Sequence, residues 1–214
     1  MNPITASYKQ LRVFIGSLAF LLVVGCTLGG FAFGKIDIQA SISAYYHTNM
    51  RDFLEGTLMG VGVFLLTYYG YSKLDRAVNT TAGISGICIA LFPCYGNDLP
   101  AGIFQLNPHT SNIFHGLSAS IFFLLLAYNS YFLFTKTDPT QTMTPMKVAR
   151  NVIYRTCGII MVVSMIAFVL CYLILGADFM DKHSIILIIE TVMLFAFGIS
   201  WITKGEAIFG DKLV

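Results

Sequence analysis

Residues 156–177 read Thr156-Cys-Gly-Ile-Ile-Met-Val-Val-Ser-Met-Ile-Ala-Phe-Val-Leu-Cys-Tyr-Leu-Ile-Leu-Gly-Ala177, without one Asp, Glu, Lys or Arg. A bilayer's hydrocarbon core, about 30 Å thick, takes roughly 20 helical residues at about 1.5 Å each, so this run predicts a transmembrane helix. The same test carried outward predicts five more, giving spans at about 13–34, 53–72, 78–95, 111–134, 156–177 and 184–203. Pro93 is expected to end a short third span, and the fourth to start near Ser111 after Pro108. The second borrows length from its acidic start at Glu55, and the sixth is interrupted by one acid, Glu190. The first run is too long for a signal-peptide core and no A-x-A site follows it, so it is expected to remain as an anchor.

Composition agrees. Of 214 residues, 56% are hydrophobic and 11% charged, and the mean hydropathy is +0.73. An ordinary soluble domain carries about 25% charged residues. These values exclude a water-soluble, disordered, fibrous or nucleic-acid-binding chain. Five cysteines without a C-x-x-C pair make neither a disulfide framework nor a zinc knuckle. The expectation is all-α: one transmembrane domain over residues 1–214, a polytopic six-helix bundle. Gly56-Thr-Leu-Met-Gly60, Gly62, Gly83, Gly86, Gly29 and Gly30 supply small-residue surfaces for close helix packing.

Charge distribution orients the bundle. Ten basic residues fall on one side: Lys9, Arg12, Lys73, Arg76, Lys136, Lys147, Arg150, Arg155, Lys204 and Lys212. The other side holds three, Lys35, Arg51 and Lys182. Positively charged loops stay in the cytoplasm, so both termini are expected there. The residues from Lys136 to Arg155 read as a linker between two three-helix halves.

The rare polar groups collect on the outer side. All four histidines, His47, His109, His115 and His183, lie there with seven of the eleven acids: Asp37, Asp52, Glu55, Asp98, Asp178, Asp181 and Glu190. Helical spacing places His183 with Glu190 on the sixth span, Asn112, His115 and Ser118 on the fourth, and Asp52 with Glu55 on the second. Polar stripes in a small bundle turn away from lipid, which predicts a shared pocket near the outer leaflet. The segment from Ser41 to Asp52 is expected at its rim.

Imidazoles with a carboxylate can hold a catalytic zinc, with His47, His115 and His183 as ligands and Asp52, Glu55 or Glu190 as base on the bound water. The leading expectation is a metal-dependent hydrolase acting on a lipid or amphiphile from the outer leaflet. The alternative is a non-enzymatic protein that binds a lipid, haem or a partner protein through the same pocket. Ser43 with His47 keeps a nucleophile reading open. Glu190 could instead be a protonated acid hydrogen-bonded inside the bundle, and Arg51 and Asp52 could simply mark a helix start. The inner halves of the spans look nearly bare of polar groups.

Ser41-Ile-Ser43-Ala-Tyr-Tyr-His47-x-x-Met-Arg51-Asp52-Phe, Ala90-Leu-Phe-Pro93 and His115-x3-Ala119-x-x-Phe122-Phe123 resemble a group of uncharacterised bacterial six-helix integral membrane proteins. That resemblance covers most of spans two to four and implies fold and location. Ser43-x3-His47 with Asp52 is more distantly similar to the alkaline ceramidase and adiponectin receptor superfamily, seven-span hydrolases whose zinc is held by three histidines. That superfamily has an H-x-x-x-H in its last span, where this chain has His183 and Glu190.

Overall fold

The computed structural model describes residues 3–137, 140 and 142–211, and Lys212 lies outside them. The described chain is all-helical, with α-helices α1 (Pro3–Val24), α2 (Arg51–Thr67), α3 (Lys73–Leu91), α4 (Pro108–Tyr128), α5 (Pro145–Leu175), α6 (Ala177–Lys182) and α7 (Ile185–Lys204). Two of them continue in wider π-helical turns, α1 through Gly25–Gly34 and α4 through Asn129–Leu133. A 3-10 turn, Ser43–His47, precedes α2.

Four helical stretches are long and apolar enough to cross a membrane: Ser7–Gly34, Pro108–Leu133, Pro145–Leu175 and Ile185–Lys204. They mark a membrane protein and match the first, fourth, fifth and sixth expected spans. The other two occupy the expected places but differ in kind. α2 has 17 residues, and α3 is made more polar by Asp75, Arg76 and Asn79.

Caps explain where the boundaries depart from expectation. Thr144 accepts from the Lys147 amide, and Pro145 sits at the first helical position, where its missing N–H costs nothing. α5 therefore starts well inside the expected linker. Asn107 and Pro108 start α4 in the same way, three residues before Ser111. At α3 a full capping box forms: Ser72 Oγ accepts from the Asp75 amide, and the Asp75 carboxylate accepts from the amides of Tyr71 and Ser72. Its first turn lies outside the expected third span.

Packing closes a ring. α1 lies against α2, α2 against α3, α3 against α4, α4 against α5, α5 against α7, and α7 against α1. Two crossings bring backbones together. A Cβ added to Gly16 would lie 2.6 Å from the Gly198 carbonyl oxygen, and one added to Gly83 would lie 2.7 Å from that of Gly62. Only glycine permits the α1–α7 and α2–α3 approaches at this distance. Gly56 meets nothing within 4 Å, so Gly62 rather than the Gly56–Gly60 pair makes the α2 contact. The interior between the helices holds Trp201 against Phe64, Tyr68 and Phe134 in edge-on contacts. The outward side chains of α5, among them Leu173 and Ile174, stay exposed and apolar, as a lipid-facing surface requires.

The bundle's ends differ in chain content. Lys9 near the start of α1 pairs with Glu206 just beyond α7, and Arg12 donates to the Lys204 carbonyl. The start of the first helix and the end of the last are thus neighbours.

Candidate functional site: a serine, histidine and glutamate cluster

At the other end, the chain between α1 and α2 is drawn onto the first turns of α7. A helix start leaves amides without intrahelical partners, and the Leu187 amide finds the Ala40 carbonyl at 2.9 Å. Two residues on, the Ile42 amide donates to Glu190 Oε2 at 2.5 Å. These two bonds put Ser43, first residue of the 3-10 turn, beside Glu190.

The segment after α3 is pinned in the same fashion. Pro93 ends the ladder, so consecutive carbonyls need side-chain donors. Phe92 O accepts from His115 Nδ1 at 2.8 Å, Pro93 O from Ser111 Oγ at 2.8 Å, and Cys94 O from His47 Nε2 at 2.9 Å. Asn112 Oδ1 accepts from the Tyr95 amide at 3.0 Å. One face of α4, with Ser111, Asn112 and His115, thereby aligns the imidazole of His115.

The two halves meet at Ser43. Its Oγ lies 3.0 Å from His115 Nε2 and 3.1 Å from Glu190 Oε1. Proton counting allows two arrangements in which both contacts of Ser43 are hydrogen bonds. A carbonyl only accepts, so Nδ1 of His115 carries a hydrogen, and Ser43 has one proton to give. In one arrangement protonated Glu190 donates to Ser43, which donates to the bare Nε2. In the other, protonated Nε2 donates to Ser43, which donates to the carboxylate. Both hold the same number of protons and differ by one proton passed through the hydroxyl. His115 is buried, whereas Ser43 and Glu190 keep part of their surface accessible.

Of the expected site residues, Ser43, His115 and Glu190 are therefore brought together and the rest are not. Ser43 pairs with His115 rather than with His47, whose ring turns to Cys94. His183 is exposed, its ring centroid 4.3 Å from that of Phe179. It does not share a stripe with Glu190 because Ser184, at φ 51°, breaks the helix between them. Asp52 is exposed in the first turn of α2. Its neighbour Arg51 donates to Glu55 Oε1 and to the Tyr46 hydroxyl, both at 2.8 Å, so the Asp52–Glu55 stripe faces Arg51 rather than the cluster. His109 stacks on Tyr95.

A zinc held by three histidines finds no ready cage here. Among the described residues, no three His, Cys, Asp or Glu side chains gather as a metal-holding group. His47 Nε2 meets the Cys94 carbonyl, His115 Nε2 meets Ser43, and the exposed His183 lies against Phe179, so the three imidazoles do not converge. The Ile42 amide and Phe92 carbonyl are partners that sequence reasoning missed. The one available signal for the second was Pro93, which leaves carbonyls to be satisfied from elsewhere.

Comparison with protein-family models, curated proteins and solved structures returns no match, and so does not bear on the resemblances drawn from residues 41–53.

Proposed function

We propose that this protein is a polytopic membrane hydrolase that cleaves an acyl bond of a lipid or amphiphile, with Ser43 as nucleophile and His115 as its base. The observation that carries the reading is Ser43 Oγ within hydrogen-bond reach of His115 Nε2, while Nδ1 is fixed by the Phe92 carbonyl. Ser43 Oγ bonds to the acyl carbon as its proton passes to Nε2. His115 then gives that proton to the departing oxygen or nitrogen, the bond to it breaks, and an acyl-serine remains. Water, deprotonated by the same nitrogen, attacks that ester, and Ser43 recovers its proton. Glu190, protonated in the arrangement in which Ser43 donates to Nε2, donates to the hydroxyl oxygen and holds it in place.

The ring of six helices, with the start of α1 beside the end of α7, supports six crossings with both termini on one side. The ten-to-three distribution of basic residues favours the cytoplasm for that side, in a bacterial inner membrane, and puts the cluster toward the outer leaflet. No step runs through a metal, because the histidines expected to hold one are engaged separately.

A fluorophosphonate probe on the purified protein tests the proposal. Labelling at one serine is expected, absent in Ser43→Ala and slowed at least 100-fold in His115→Ala. An unlabelled wild-type protein overturns it. If that protein also carries stoichiometric zinc that His115→Ala loses, the chemistry belongs to a metal centre instead.

A further inference from the structure

The end of the bundle away from the Ser43 cluster holds a cavity of about 630 Å³, and its walls are unusually cationic. Arg12, Lys136, Lys147, Arg150 and Lys204 all line it, from α1, α5, α7 and the turn after α4, with Glu206 and Asp211 as its acids. Both acids are already committed. Glu206 pairs with Lys9, and Asp211 accepts from Arg150 at 2.7 Å and from the Thr144 hydroxyl at 2.6 Å. Lys136 pairs with Asp75. Among the described residues, Arg12, Lys147 and Lys204 form no ion pair.

These three cations are poorly served. Lys204 is only 8% exposed, and among the described residues its ammonium has one acceptor, the Phe134 carbonyl at 3.4 Å. Lys147 uses the same carbonyl at 2.9 Å. The rings of Phe134, Tyr71 and Tyr154 face the Lys204 ammonium at 5.1–5.9 Å, which attracts it without neutralising it. Arg12 reaches the Lys204 carbonyl with one terminal nitrogen at 3.4 Å, while its Nε is buried with no partner. A buried charge is normally paired, and a buried N–H normally finds an acceptor. Here three cationic side chains meet in one cavity beside a donor with no acceptor among the described residues.

We infer that this cavity is a binding site for a phosphate group, held by Arg12, Lys147 and Lys204. A phosphate brings up to two negative charges and several acceptor oxygens, which would complete both ammoniums and the guanidinium at once. The Thr142 and Thr144 side of the cavity wall supplies further polar surface. The phosphate could belong to a lipid headgroup or to a soluble phosphate compound, since the chemistry of recognition is the same.

Titration calorimetry on the full-length protein in detergent tests this with two probes, inorganic phosphate and a short-chain phosphatidic acid. One saturable site is expected, weakened at least tenfold by Lys204→Met, Lys147→Gln and Arg12→Gln, and unchanged by Arg155→Gln, whose charge lies outside the cavity. Binding of both probes identifies a phosphate site open to soluble compounds, and binding of phosphatidic acid alone identifies a lipid headgroup site. Binding of neither probe, or binding that Arg155→Gln weakens as much as the cavity variants do, overturns the proposal. Thermal unfolding separates lost binding from lost fold. Phosphate is expected to raise the wild-type midpoint and leave that of the variants unmoved. Lys147, only half-buried, supplies the readout if a change at Lys204 prevents folding.

Discussion

Two polar regions sit some 14 residues apart on α7, about 20 Å at 1.5 Å per residue, and they solve the same problem differently. Around Glu190 the chain supplies its own partners. The carboxylate has an amide and a hydroxyl, the hydroxyl has an imidazole, and the imidazole has a carbonyl. Around Lys204 the described residues supply more cations than acids, and the two acids, Glu206 and Asp211, are spent on Lys9 and Arg150. The contrast separates a preorganised centre, complete before anything binds, from a receptive one that remains electrostatically incomplete. Buried polar groups cost free energy unless they are paired, so only the first arrangement should contribute to the stability of the unliganded protein.

Four substitutions and one titration sharpen that contrast. The largest effect is expected at His115. His115→Ala removes a buried ring and leaves the Phe92 carbonyl and Ser43 without it, a loss of about 3 kcal/mol in denaturant unfolding. A loss below about 1 kcal/mol would mean that the cluster does not hold α3, α4 and the 36–47 segment together.

The opposed pair Glu190→Leu and Lys204→Met comes next. Glu190→Leu strands the Ile42 amide and should cost about 2 kcal/mol, whereas Lys204→Met removes an unpaired buried cation and should cost nothing or stabilise slightly. Equal losses at both positions would erase the distinction between the two ends.

The smallest effect concerns Asp211 at the rim of the cavity. The Thr144 hydroxyl and the Arg150 guanidinium hold its carboxyl below the usual carboxylate range. A lowered folded value means that this contribution is complete above the ordinary carboxylate range and is lost as pH falls through the lowered value. Asp211 is itself exposed, although Arg150 is buried, so less than about 1 kcal/mol is at stake. Hydrogen exchange at residues 206–211 should quicken on acidification into that window, and Thr144→Ala should move the onset to higher pH.

Much of this architecture was legible as runs without charge. Those runs place the four long apolar helices, because a bilayer's thickness constrains length and polarity more tightly than any side-chain preference does. Their starts were less visible at Thr144 and Ser72, where local capping lets a helix begin in residues that composition alone assigns to a loop. Glu190 and His115 stood out as isolated polar groups in apolar runs. Their meeting through Ser43 did not, since it depends on the Ala40–Leu187 contact and on the left-handed Ser184, neither of which has a periodic signature. The cationic cavity escaped for a different reason. Arg12, Lys136, Lys147, Arg150 and Lys204 are scattered over the chain and were read only as a topological signal, so the inner half of the bundle looked bare.

The docking of the 39–43 segment on the first turns of α7 also has a consequence for biogenesis. A ribosome delivers Ser43 and His115 to the membrane long before Glu190, so the cluster stays open until nearly the whole chain has been made. An interrupted translation product would carry the hydroxyl and the imidazole without the carboxylate that aligns them. Synthesis of the last helix is therefore the event that completes the cluster.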